Sequence, residues 1–259
     1  MEEKREFQGK KIIFVHPPEI VGSLLLNILV DKEYEVYILQ DFRRIPDIQE
    51  HYPDSIFFLN IDTAQTEYEW QEFIRNLNER CSGIQLGILS FNINTKDKMQ
   101  LYLLDLGVSC GFIQLKLGVA AATEMMLKVL DVNEVRGRRK FIRYQCTNEV
   151  RSTLSFDLMG TRVTGDIQDI SSVGLSCILD NHQGNLVPNQ LIRNIQFRLG
   201  VLIVNMDAIL LGTRIIEGER TIFVFLFKLD SSDKMKTKVR SFIYNSLQKN
   251  FNKEFSLKY

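Results

Sequence analysis

Two short stretches of this 259-residue chain concentrate side chains that can recognise anions and the polar edges of bases. The first is Arg136-Gly137-Arg138-Arg139-Lys140-Phe141-Ile142-Arg143, with five cations in eight residues and no acid. A guanidinium group is flat, permanently charged and able to hold a phosphate through two parallel hydrogen bonds. It also pairs with the O6 and N7 of guanine and stacks on base faces. A solvated basic linker accounts for such a run equally well. The second stretch, Asp169-Ile170-Ser171-Ser172-Val173-Gly174, follows 26 residues after Arg143. Its carboxylate accepts hydrogen bonds, its serine hydroxyl donates or accepts, and its glycine lets another group approach the backbone. A polar β-turn is the structural alternative: Asp and Ser cap it, and Gly supplies a positive φ.

The elements that carry these stretches differ between the two halves of the chain. From residue 9 to about 130, short apolar runs alternate with helical patterns. Strands are expected at Lys11–Val15, Val36–Leu39, Ile56–Leu59, Leu86–Ser90 and Val108–Ile113. Helical spacing links Ile20, Val21, Leu24, Leu25, Ile28 and Leu29, then Trp70, Phe73, Ile74 and Leu77. Met99, Leu103 and Leu106, and Val119, Ala122, Met126 and Val129, mark two more helices. Strand–helix alternation of this kind predicts a five-stranded parallel sheet covered on both faces. After Arg143 strand-like runs succeed one another without long helices, at about 150–157, 161–168, 173–179, 195–204, 207–217 and 221–229, with Gly160, Gly174 and Gly218 at turns. That grammar predicts a small six-stranded antiparallel barrel. A final helix carries Met235, Val239, Phe242, Ile243 and Leu247 on one face. The domains are expected at residues 1–132 and 133–259.

Taken together and in this order, the two stretches resemble the PilZ family, whose signature is RxxxR followed by (D/N)xSxxG on a six-stranded barrel with a C-terminal helix. Arg139-Lys140-Phe141-Ile142-Arg143 matches the first part, and Asp169, Ser171 and Gly174 match the second. The resemblance covers about residues 136–250 and implies binding of the second messenger cyclic di-GMP. It assigns phosphate and guanine to Arg139 and Arg143, a guanine edge to Asp169 and Ser171, and the turn to Gly174. Arg138, directly before the motif, implies a pair of intercalated ligand molecules. Arg214, on a later strand, is a further candidate contact or a solvent-facing charge.

The N-terminal pattern is similar to a receiver domain, with depleted chemistry. Receivers place acids after the first strand, an aspartate at the end of the third, Ser or Thr after the fourth and Lys after the fifth. Here the first strand is followed by His16-Pro17-Pro18-Glu19, and Asn60 stands where the acceptor aspartate is expected. An amide is no phosphoryl acceptor. Asp62 is an off-register substitute, and Ser90 and Lys116 sit near the ends of the fourth and fifth strands, where they also serve as rim residues of the core. The expected role is a docking or dimerisation surface.

Composition narrows the remaining classes. Four scattered cysteines without a CxxC pair and only three histidines exclude a zinc framework and suit a reducing cytoplasm. No signal peptide is expected, since Met1 to Lys11 is charged throughout. The longest apolar stretch, Phe197 to Leu211, is broken by Arg198, Asn205 and Asp207, so no membrane contact is expected. No GxSxG, P-loop, HExxH or dinucleotide-binding glycine fingerprint occurs, which argues against an enzyme and against any cofactor or metal. Residues 1–132 carry 13 Lys+Arg against 20 Asp+Glu, net −7, and residues 133–259 carry 19 against 12, net +7. The basic half suits an anionic partner. Nucleic acid is the alternative ligand, although no helix-turn-helix or aromatic RNA-binding motif appears. The other alternative is a ligand-free protein-interaction module. A downstream protein partner and a homodimer are both compatible with the pattern.

Overall fold

The computed structural model of the protein describes residues 9–19, 21–137, 140–146, 151–180, 186–216, 220–228 and 233–255. The chain forms two compact units, one of residues 1–140 with 248–259 and one of residues 141–247.

In the first unit, apolar runs become five parallel strands, β1 (Ile12–Val15), β2 (Val36–Leu39), β3 (Ile56–Asn60), β4 (Gln85–Ser90) and β5 (Phe112–Gln114). Their order is β2-β1-β3-β4-β5, that of flavodoxin-like doubly wound sheets. All four β1 side chains are fully buried, as a strand covered on both faces requires. The helices are α1 (Leu26–Asp31), entered through a π turn at Val21–Leu25, α2 (Ile45–His51), α3 (Glu67–Arg80), α4 (Lys96–Gln100), continued by a π turn at Leu101–Asp105, and α5 (Val119–Val132). A reciprocal Thr66–Glu69 capping box starts α3 and aims Trp70, Ile74 and Leu77 into the core. The fifth strand lies later than its expected span of 108–113. Gly107 and Gly111 both take positive φ, so this stretch turns before pairing with β4 begins at Phe112. The α2 helix went unread because it is only seven residues long and carries Pro46, which a first helical turn tolerates.

In the second unit, β7 (Ser152–Leu158), β8 (Thr161–Ser171), β9 (Gly174–Leu179), β10 (Leu191–Leu199), β11 (Leu202–Ile216) and β12 (Arg220–Phe227) close into an antiparallel barrel. The closure runs β7-β8-β9-β12-β11-β10 and back to β7. The run read at 195–204 is in fact two strands, because Gly200, at φ +62°, turns the chain between β10 and β11. A seventh strand, β6 (Arg143–Gln145), pairs with the last three residues of β8, past the end of the β7 pairing. Its first residue, Arg143, ends the basic stretch read from sequence as linker, and Tyr144 and Gln145 precede the first strand expected, at about 150. The barrel core includes Leu154, Phe156, Ile167, Ile170, Leu175, Cys177, Phe197, Phe223 and Phe225. The terminal helix α6 (Asp233–Glu254) adds Val239 and Ile243 to it.

From Gln248 onward α6 belongs to the first unit, where it closes the exposed edge of β2. Gln248 Nε2 donates to the Ile38 carbonyl at 3.0 Å, and the Ile38 N–H donates to Gln248 Oε1 at 2.8 Å. An amide side chain thus answers a strand-edge peptide as a neighbouring strand would. Phe251 stacks on Tyr37 with ring centroids 4.5 Å apart. No described helix is long and apolar enough to cross a membrane.

Candidate functional site

The site in the barrel starts from a break in strand parity. On β8, Val163 and Ile167 point into the core, and the next core residue is Ile170. The two-residue period of a strand is broken by a β-bulge between Ile167 and Asp169. One extra residue, Gln168, shifts the alternation, so Asp169 and Ser171 turn to the outer face. Strand β6 alternates in phase with this shift. Tyr144 enters the core and meets Phe242 edge-on at 5.7 Å, while Arg143 and Gln145 face outward. In register, Arg143 lies opposite Ser171 and Gln145 opposite Asp169.

Asp169 is only 5% exposed although it faces outward. An ionised carboxylate removed from water needs donors on its lone pairs. Arg143 Nη1 donates to Asp169 Oδ1 at 2.7 Å, and the Ser176 hydroxyl donates to Asp169 Oδ2. The Arg143 side chain remains 43% exposed, so its guanidinium can still meet a solvent-borne group. The two motif halves, 26 residues apart in sequence, therefore form one hydrogen-bonded cluster.

The turn after β8 is held by Ser171 rather than by Asp169. The Ser171 hydroxyl donates to the Gly174 carbonyl at 3.1 Å and accepts from the Val173 N–H at 3.4 Å. Gly174 opens β9 without a positive φ, contrary to the expectation of a left-handed turn residue. Its missing side chain is required by a close backbone approach instead. A Cβ there would stand 2.3 Å from the Phe225 carbonyl oxygen of the neighbouring strand.

Arg138 and Arg139 lie outside the described residues. Arg214 is exposed on β11, in register with Ile222, two residues along β12 from Val224, which faces Ser176. Ser176 escaped the sequence reading. The signal for it was parity, since a serine between the core residues Leu175 and Cys177 must face outward. Burial pushes the thiol of Cys146, just past β6, up to about 11.

A second polar cluster lies at the carboxyl ends of the parallel strands. Asn60 Nδ2 donates to the His16 carbonyl at 2.8 Å, and Asn60 Oδ1 accepts from the Asp62 N–H at 3.2 Å. Asp62 Oδ1 accepts from the Ser90 hydroxyl and Oδ2 from the Phe91 N–H, both at 2.6 Å. Both oxygens of the off-register carboxylate are thus engaged in holding the loop after β4. Lys116 is exposed, and burial lowers the His16 pKa from the usual histidine value. Among the described residues, no group of three or more His, Cys, Asp or Glu could hold a metal ion.

No family model matches the chain, and no curated protein does. Among solved structures, the chain is similar to the PilZ domain of YcgR from Escherichia coli with c-di-GMP, at 18% identity and a TM-score of 0.39, over 45% of this chain and 96% of that one. It is also similar to the Klebsiella (K. pneumonia) MrkH–c-di-GMP complex, at 17% identity and a TM-score of 0.41, over 46% of this chain and 57% of that one. A third is the Bacillus subtilis inhibitor of motility MotI/DgrA, at 12% identity and a TM-score of 0.37, over 45% and 52% of the two chains. The match spans only half of the longer YcgR structure.

Two outcomes follow from these contacts. Gly174→Ala should lower stability by about 1–3 kcal/mol, because the clash is with a backbone oxygen that cannot rotate away. Chemical unfolding of the full chain measures it. Incubation with Mg²⁺ and a small-molecule phosphodonor should leave the intact mass unchanged, because Asp62 is already engaged through both oxygens. A one-phosphoryl mass gain that Asp62→Asn abolishes would show the carboxylate free to react.

Proposed function

We propose that the chain is a PilZ-type receptor for cyclic di-GMP, a binding protein rather than an enzyme, with the ligand carried by residues 133–259. The observation that supports this reading most directly is the Arg143–Asp169 contact at 2.7 Å, made on the outer face of the barrel. Cyclic di-GMP offers two phosphates and two guanines. Arg143, half-exposed at the start of β6, has the chemistry for a phosphate or a guanine O6/N7 edge. Asp169 has the chemistry for the guanine N1 and N2 donors, and Gly174 shapes the strand beside it. Ser171, whose hydroxyl bonds the adjacent turn, would contribute through that turn or through its remaining lone pair. Arg139 would add a second phosphate or guanine contact, and Arg138 would favour an intercalated ligand pair.

In this reading the ligand orders the arginine segment before β6, and the response is a change in domain orientation or in partner binding. A messenger made inside the cell sets a cytoplasmic site of action. No resident cofactor is invoked. The first unit serves as a docking or dimerisation surface for a downstream protein partner.

Isothermal titration should give saturable binding of cyclic di-GMP, with a stoichiometry near two per chain if Arg138 supports a pair. Arg143→Ala should weaken it by ~1.5–3 kcal/mol. An affinity unchanged in that variant removes Arg143 from the site. No heat with wild type, together with steeply salt-dependent binding of generic DNA, would favour the nucleic-acid alternative. Solution scattering should differ with and without ligand, and superimposable profiles would rule out reorientation.

A further inference from the structure

We infer that Ser176, outside both motif halves, is a positioning residue for guanine recognition: it fixes the Asp169 carboxylate from the neighbouring strand, so that the lone pairs not held by the barrel are presented to the ligand. This inference rests on the cyclic di-GMP reading. Ser176 is 2% exposed, and Asp169 and Val224 are its neighbours on the two flanking strands. Its hydroxyl donates to Asp169 Oδ2, the oxygen that Arg143 does not take. A buried donor of this kind cannot be displaced by a ligand arriving from solvent. The Arg143 guanidinium, at 43% side-chain exposure, can be.

The two contacts therefore divide the carboxylate. Oδ2 is anchored to the barrel, and Oδ1 is held by the half-exposed arginine. Without an anchor a carboxylate rotates about its terminal torsion with little resistance. Recognising guanine through N1–H and the 2-amino group requires that plane to be held, because two donors on one rigid edge must meet the remaining lone pairs of the two oxygens together. A hydroxyl on β9 supplies the hold with a charge-assisted bond. The bulge at Gln168 makes it possible, because it shifts Asp169 into register with Ser176.

A pair of isosteric variants separates this role from a general packing role. Ser176→Thr keeps the hydroxyl and adds a methyl, whereas Ser176→Val has the same branched shape without the hydroxyl, and both suit a strand. Titration compares cyclic di-GMP with the analogue that carries hypoxanthine, which lacks the 2-amino donor. Wild type and Ser176→Thr should both prefer the guanine ligand. Ser176→Val should bind cyclic di-GMP about 10-fold more weakly and lose most of that preference. A preference retained in Ser176→Val overturns the positioning role, as does an equal weakening in both variants. Absence of cyclic di-GMP binding by the wild type would instead end the receptor reading itself, and this inference with it.

Discussion

An ionised carboxylate taken out of water has to be met by donors, and in the barrel that demand falls on Asp169. Its two oxygens draw on two different strands, Arg143 of β6 and Ser176 of β9, while Asp169 itself stands on β8. The donors are useful only if the carboxylate is on their side of the sheet. The extra residue at Gln168 does this by reversing which face of β8 is apolar from Ile170 onward. The same shift gives β6 its place, since Tyr144 can enter the core only while Arg143 and Gln145 face outward. A single inserted residue thus ties together the bulge, the added strand and the polar cluster.

The parallel sheet of the other unit answers the same demand differently. Its strand ends also leave donors and acceptors to satisfy, and the chain meets them with its own side chains. Asn60 bridges the His16 carbonyl and the Asp62 N–H, and Asp62 holds Ser90 and the start of the following loop. The barrel cluster is held partly by an exposed guanidinium that can change partners, whereas the cluster at the sheet ends is held by short bonds among partly buried groups.

Helix α6 is divided between the two units at Gln248. Its apolar residues up to Leu247 pack with the barrel, and the Gln248 side chain bonds the edge of β2 in the first unit.

Much of this was legible in the sequence, because the informative signals were local. Apolar runs of four to six residues between helical patterns gave the parallel sheet, since a strand buried on both faces has no polar positions to spare. Closely spaced strands with turn glycines gave the barrel, and Arg143, Asp169, Ser171 and Gly174 stood out by type and spacing. What only the tertiary structure decided were matters of register and close approach. The bulge at Gln168 has no local signature, yet it turns Asp169 outward and brings it to Ser176. Gly174 is required by a carbonyl 51 residues away in sequence, at Phe225, and not by its own φ. Arg143 reads as the end of a basic linker, and Tyr144 and Gln145 read as no element, because three residues are too few for a periodic signal. They form a strand because the end of β8 offers unpaired backbone groups and the core has room for Tyr144. Residue types set which chemistry is available, and pairing between distant strands sets which groups meet.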